Sequence, residues 1–389
     1  MEYMVACNWQ DDLLDKIDYP EVKTLFGGLR DSLISSGRAS FSIKNISQHD
    51  VKEYIKRVHA KGWEFDYNLN SVCLSNMEFT AEGRKEILKF IESILDLGVD
   101  SLTVSLPSLM EIINKNFPGT KIKVSTYQKV DNVAMAKRFE DLGADVIMLS
   151  ELINRDFKSL EAIRRSVKCK IALIANVGCV YGCPNIHTHA SSCAHSGSKG
   201  AKNNIFSEYY QASCTFCRVS NPVELIKARW IRPEDVKVYE DIGIDMLKIL
   251  ERFSKSDSLG ERVKAYSNRK YEGNLVDILG QTINIKHSLN NVWESEIDND
   301  EFLKVRRFLK TFLSTNLSDM YYLDNSKIPE NFINSFRGRE CSKLSCEECK
   351  YCENILKQCM THQNSELVEK TVKSMKTLRD EIVEGSILY

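Results

Sequence analysis

The 389-residue sequence predicts an α/β protein: a (β/α)8 barrel of the TIM type, followed by a smaller, cysteine-rich and mainly helical C-terminal domain. Three observations carry this prediction. Short apolar runs alternate with amphipathic stretches through the first two-thirds of the chain, as in parallel strands joined by right-handed helical crossovers. A helix–Gly–x–Asp–strand phrase occurs three times, at Gly98, Gly143 and Gly243. Eight strand-like runs fall within roughly 270 residues, close to the usual size of this barrel. A doubly wound open sheet is the rival, but no glycine-rich phosphate loop follows the first run.

In chain order the strand-like runs are YMVAC from Tyr3, VKTLFGG from Val22, WEFDYNLN from Trp63 and SLTVSL from Ser101. They continue with KIKVSTY from Lys121, DVIMLSEL from Asp145, KIALIANVG from Lys170 and DMLKILER from Asp245. Between the second and third, Val51, Tyr54, Ile55 and Val58 share one helical face, with Ser47 as N-cap and Gly62 just past the C-terminus. The barrel is assigned to 1–279, with a cysteine-rich insert at 177–232, and the C-terminal domain to 280–389. FLKVRRFLKTFL, from Phe302, reads as a basic amphipathic helix packing on the barrel, with a nucleic-acid contact as the alternative. The stretch from Ser365 to Ile387 reads as a charged amphipathic helix.

Lys plus Arg number 53 against 54 Asp plus Glu, which argues against a generally basic nucleic-acid binder but not against a local basic patch. No apolar run is long enough to span a bilayer. The start, MEYMVACNWQDDLLDKID, lacks the basic and apolar segments of a signal peptide. The expectation is a cytoplasmic protein with no membrane association.

In such a barrel the chemistry sits at the C-terminal ends of the strands. The polar residues there are Asn68, Asn70, Ser105, Ser125, Glu151, Asn176, Lys248, Glu251 and Arg252, some of them serving as caps. One crossover is anomalous, because about fifty residues without clear periodicity separate Asn176 from the helix at Pro233. That loop carries Cys179-x3-Cys183, Cys193 and Cys214-x2-Cys217, with His187, His189 and His195. Thiolates two or three residues apart converge on one centre, and a distant pair closes its other side. Zinc and iron–sulfur clusters accept the same four thiolates, so spacing alone leaves both open. Cys193 has no close cysteine partner and is left out of the quartet, though it remains able to replace a member. Cys7, Cys73 and Cys169 lie in apolar or strand-like segments and read as small buried hydrophobes.

From Asn176 to Leu279 the sequence resembles the peptidase U32 family, labelled collagenase-like. The resemblance rests on Cys179 and Cys183, on Cys214-x2-Cys217-Arg218, on ARWIRPEDVKVYEDIGIDMLKILER from Ala228 and on AYSNRKYEGNLVDIL from Ala265. With the alternating pattern before it, it covers about two-thirds of the chain. It implies a 4Fe-4S cluster at the barrel mouth held by Cys179, Cys183, Cys214 and Cys217. It also implies oxygen-independent hydroxylation of a small molecule or an RNA base, with prephenate associated with the oxygen supply in some members. The three-residue gap in the first cysteine pair and the large histidine-bearing insert depart from the common family pattern.

A second group, Cys341-x4-Cys346-x2-Cys349-x2-Cys352-x6-Cys359, looks like a ferredoxin-type run without its usual proline. A second 4Fe-4S cluster on Cys341, Cys346, Cys349 and Cys352 is preferred, with zinc as the alternative metal and Cys359 as the alternative ligand. Two clusters suggest a redox enzyme with an electron relay, a small-molecule or RNA substrate, an electron-donor protein and a partner subunit of the same family. Candidate catalytic residues are Asn176, His187, His189, Lys248, Glu251 and Arg252. The alternatives are a non-catalytic cluster-binding accessory subunit and a peptidase. Neither an HExxH helix nor a GxSxG elbow is present. An RNA substrate predicts a basic rim built from Arg218, Lys227, Arg229 and Arg232.

Overall fold

The computed structural model describes residues 1–30, 32–38, 43–198, 208–252, 254–280 and 316–386. Eight parallel strands close into a barrel in sequence order: β1 (Glu2–Ala6), β2 (Val22–Gly27), β3 (Glu64–Leu69), β4 (Ser101–Val104), β5 (Lys121–Val124), β6 (Val146–Met148), β7 (Lys170–Ile174) and β8 (Met246–Ile249). β8 returns to β1 in the register Met4 opposite Lys248, which removes every sheet edge. All eight runs read from the sequence are strands of this barrel.

The Gly–x–Asp phrase has a structural meaning beyond ending a helix. Gly98, Gly143 and Gly243 all adopt positive φ, between 85° and 89°, which lets the helix turn straight into the next strand. The aspartate that follows clamps the preceding strand at two points. Asp100 Oδ2 accepts from Phe65 N at 2.7 Å, Asp145 Oδ2 from Ile122 N at 2.7 Å and Asp245 Oδ2 from Ile171 N at 2.8 Å. Each aspartate amide donates back to the carbonyl of the same residue. The clamps therefore register β3 with β4, β5 with β6 and β7 with β8, at the face opposite the strands' C-terminal ends.

The crossover helices bury the expected stripes. In Gln48–Ala60 these are Val51, Tyr54, Ile55 and Val58, and Ser47 caps the helix by accepting from Asp50 N at 3.1 Å. The insert expected to lack periodicity contains three helices, Ile186–Ser196, Glu208–Ser220 and Val223–Lys227. The apolar faces of the first two are interrupted by Ser, Thr, His and Cys, which hides the helical repeat from a hydrophobicity reading.

Beyond the barrel, β9 (Tyr321–Leu323) pairs antiparallel with β10 (Met360–Gln363), and helices span Cys346–Cys349, Tyr351–Cys359 and Ser365–Glu384. One buried cluster runs from the barrel into this region. Phe332 stacks on Trp230 at 5.4 Å, Tyr321 Oη donates to Val219 O at 2.7 Å, and Arg232 Nη1 donates to Ile328 O at 3.1 Å. The helix Ser365–Glu384 packs along Glu208–Ser220, with Arg379 over the Phe216 ring. The FLKVRRFLKTFL stretch lies outside the described residues. Among the described residues, no helix is long and apolar enough to cross a membrane.

Candidate functional site

Strand alternation aims one file of side chains from each strand into the barrel. β3 contributes Asp66 and Asn68, β4 Ser101 and Thr103, β5 Lys123, and β8 Lys248. Asp66 is fully buried and accepts from Ser101 Oγ at 2.8 Å and Thr103 Oγ1 at 2.5 Å. Lys123 Nζ stands 3.7 Å from Asp66 and has no hydrogen-bond partner. Lys248 Nζ sits 3.8 Å from the centre of the Phe26 ring. The interior thus holds two ammonium groups around one carboxylate.

At the C-terminal ends of the strands these groups open into a cavity of about 100 Å³. It is lined by four cationic side chains (Arg38, Lys129, Lys248, Arg252) and two acidic ones (Glu151, Glu251). Lys129 pairs with Glu151, which also accepts from Thr126. Arg252 Nη2 donates to Ser36 O at 2.9 Å, while its Nη1 has no hydrogen-bond partner. Arg38 Nε is likewise buried without one. Orphaned cationic donors mark a place for an anion. Glu251 and Lys129 hold φ of 101° and 50°, sparsely populated for residues with a Cβ and common at functional sites.

The charge balance shifts several groups. Burial, and then the like charges of Arg252, Lys123 and Arg38, push Lys248 down to about 7 against the pull of Asp66. Burial and Arg38 lower Arg252 to about 9. His189 is lowered to about 4 by burial and then by Arg38, Lys129 and Arg218, and its ring stacks on Tyr210 at 5.3 Å. It is therefore a neutral imidazole near pH 7.

The insert closes this cavity. Cys179, His189 and Cys193 line it. Cys214 and Cys217 lie one turn apart on Glu208–Ser220. Arg218, on the same helix, ties it to the loop after β7: Nη1 donates to Gly178 O at 2.8 Å and Nη2 to Cys214 Sγ at 3.3 Å. Gly178 is required there, because a Cβ would lie 2.4 Å from Gly280 O. Cys214 is an electrostatic neighbour of Cys179, Cys183 and Cys217, whose thiols are all pushed up chiefly by burial.

The donor set suits a metal–sulfur group: four cysteines around one charged node, with Arg218 as counter-charge. Among the described residues, no three Cys, His, Asp or Glu side chains are drawn together. The four thiols suit the terminal ligands of a 4Fe-4S group or the four ligands of one zinc.

The structure divides the other candidates. Lys248, Glu251, Arg252 and His189 meet at the cavity. His187 is exposed on the outer side of its helix, since residues two apart on a helix do not share a face. Asn176 lies beneath the cavity and fastens β7 to β8: Oδ1 accepts from Leu250 N at 2.8 Å and Nδ2 reaches Leu250 O at 3.5 Å. Its role is to position backbone. Arg218, Arg229 and Arg232 do not form a basic rim, being only 2%, 5% and 4% exposed, and Lys227 pairs with Glu224. Cys193, which spacing set aside, faces the cavity. Cys73 is exposed, whereas Cys7 is buried as expected. Sequence reasoning missed Arg38, Tyr127 and Lys129, which come from loops after β2 and β5. A half-buried Tyr127 whose Oη donates to Gly37 O at 2.8 Å leaves no sequence signal.

Cys341, Cys346, Cys349 and Cys352 line a second cavity, of about 400 Å³. Cys359 is buried elsewhere, its sulfur donating to Leu356 O at 3.8 Å.

Comparisons with known proteins identify the family. The family model described as Peptidase family U32 matches residues 26–274. The "Uncharacterized protease MJ1657" of Methanocaldococcus jannaschii is 25% identical over 327 residues, covering 84% of this chain and 86% of that protein. The "tRNA hydroxylation protein P" of Haemophilus influenzae is 25% identical over 132 residues, 33% of this chain and 27% of that protein. Among solved structures, the U32 peptidase Mk0906 covers 64% of this chain and 92% of its own, at 18% identity and a TM-score of 0.49. The family match spans the barrel from the end of β2 through β8, cysteine insert included, and the chain belongs to peptidase family U32.

Proposed function

We propose that this protein is an iron–sulfur-dependent redox enzyme that modifies a small anionic molecule at the barrel mouth, by oxygen-independent hydroxylation. One observation carries the reading: a single cavity is lined by Arg38, Lys248 and Arg252 from the barrel and by Cys179, His189 and Cys193 from the insert. The "tRNA hydroxylation protein P" supports the reaction class.

With water as the oxygen source, hydroxylation of a carbon (R–H + H2O → R–OH + 2 H+ + 2 e−) releases two electrons that an external acceptor protein must take up, and a 4Fe-4S cluster on Cys179, Cys183, Cys214 and Cys217 would pass them on one at a time. The remaining tasks belong to side chains. Arg252 Nη1 and Arg38 Nε have hydrogen-bond capacity left for a carboxylate. Ser36 O holds the Arg252 fork in place. Lys248, at about 7, gains or loses a proton at Nζ near neutral pH. His189, neutral, offers a ring nitrogen as acceptor. The buried state of Arg218, Arg229 and Arg232 favours a small molecule over an RNA base.

The test compares cells lacking the protein with cells restored by the wild type or by Cys183→Ala, reading both metabolites and RNA digests. A hydroxylated small acid that returns only with the wild type supports the proposal. A hydroxylated nucleoside in that role moves the substrate to RNA, and no change in either pool removes the reading.

A peptidase is the second reading, favoured by the relative named as a protease and by Cys193 and His189 lining one cavity. It predicts cleavage of unfolded protein by iron-free material, abolished in Cys193→Ala.

A further inference from the structure

The region after the barrel lies beyond the family match, and its chemistry is its own. We propose that Cys341, Cys346, Cys349 and Cys352 hold a second 4Fe-4S cluster, seated against two buried arginines on the side of the cysteine insert away from the barrel mouth. The inference extends the proposed function but stands on different residues.

Local structure first brings the thiols together. Cys341 opens a short 3-10 turn, and Cys346 and Cys349 begin and end one helical turn. Lys350, at φ 49°, then reverses the chain so that Cys352 falls in the first turn of the next helix. All four sulfur-bearing residues line one cavity. The four thiols suit a cubane group with one thiolate on each of four irons, with one zinc ion as the alternative that the experiment below separates.

The second observation is charge. Arg229 lines the cavity, is 5% exposed, and its Nε has no hydrogen-bond partner. Its guanidinium lies 3.7 Å from the Tyr181 ring centre, also in the cavity wall. Arg155, 2% exposed, donates to Ile226 O and Trp230 O and lies 4.4 Å from the Trp230 ring. Among the described residues neither arginine forms an ion pair with a carboxylate. Arg155 also lies 5.0 Å from the centre of the Phe336 ring, which lines the cavity. Buried cations without a counter-charge are costly, and an anionic tetrathiolate cluster is the counter-charge this pair lacks. The wall is shared with the first site: Tyr181 faces this cavity, while Cys179, two residues before it, faces the barrel mouth.

The experiment measures iron, acid-labile sulfide and zinc in full-length protein isolated anaerobically, for the wild type, Cys349→Ala, Cys359→Ala and Cys183→Ala. The proposal expects Cys349→Ala to lose about half of the iron and sulfide, because the two clusters are of equal size. Cys359→Ala keeps all of both. Wild-type iron in Cys349→Ala, or stoichiometric zinc that only Cys349→Ala loses, overturns it. Retention of iron in Cys183→Ala would instead count against the barrel site alone. Should Cys349→Ala fail to fold, Arg229→Gln gives a second readout in a reductive titration followed by electron paramagnetic resonance. Removing the cation should leave the iron content unchanged and move one of two midpoint potentials to a more negative value. If neither midpoint moves, no cluster lies beside Arg229.

Discussion

Lys248→Met isolates the cost of the cationic barrel interior. Lys248 is 7% exposed and sits beside Lys123 and Arg252, with Asp66 as counter-charge. Its fall from 10.5 to about 7 sets a ceiling of roughly 5 kcal/mol on the penalty of the charged form. The contact with the Phe26 ring, and the imperfect fit of methionine, offset part of this, leaving a gain of about 1–3 kcal/mol for the variant at pH 6. The direction with pH follows from proton binding. The unfolded lysine binds a proton up to about 10.5, the folded one only to about 7, so wild-type stability rises with pH between these values. The variant lacks this slope, and its advantage vanishes near pH 10. Denaturant midpoints of both proteins at pH 6, 8 and 10 check this. A variant less stable at pH 6, or a difference independent of pH, would refute the reasoning. The same substitution should weaken binding of a small carboxylate at pH 6 by about tenfold or more, since a hydrogen bond to a charged group contributes about 1.5–3 kcal/mol.

Other perturbations address the scaffold and the anion site. Asp145→Ala removes the clamp on Ile122 N and should cost about 1–3 kcal/mol by thermal or denaturant unfolding, as should Asp245→Ala through Ile171 N. Asp66→Asn leaves Lys123 and Lys248 without a counter-charge and should destabilise by about 3–5 kcal/mol near pH 6, less as the pH rises and Lys248 discharges. Arg252→Leu should abolish most carboxylate affinity in a calorimetric titration while leaving iron content unchanged. His187→Ala should leave binding and turnover intact, because that ring is exposed on the outer face of its helix.

The barrel was legible because its signals are local and repeated. Strand patterning, helix stripes such as Val51–Tyr54–Ile55–Val58, and three Gly–x–Asp phrases all point one way. The phrase was legible as a helix ending; that Asp100, Asp145 and Asp245 each clamp the strand before them required coordinates, because the partner is a backbone amide with no residue preference. The insert resisted reading, since its helices carry histidines, serines and cysteines where an apolar stripe would stand. The site was half legible. Lys248 in β8, with Glu251 and Arg252 just after it, announce themselves, whereas Arg38 and Lys129 belong to loops whose path only the closed barrel determines. Asn176 has the strand-end position of a reactive group, and only the coordinates show that its amide spans the backbone of Leu250. The apparent basic rim dissolved because Arg218, Arg229 and Arg232 turn inward to carbonyls, aromatic rings and Asp235.

The central claim is that an iron–sulfur cluster and an anion site share the barrel mouth. The most direct measurement is the electron paramagnetic resonance spectrum of dithionite-reduced, anaerobically isolated protein, recorded with and without a small carboxylate in the Cys349→Ala background. The account predicts one reduced cluster whose line shape changes when the carboxylate binds, and no such change in Arg252→Leu. Stoichiometric zinc with no sulfide, or a cluster signal indifferent to every carboxylate tried, would contradict it.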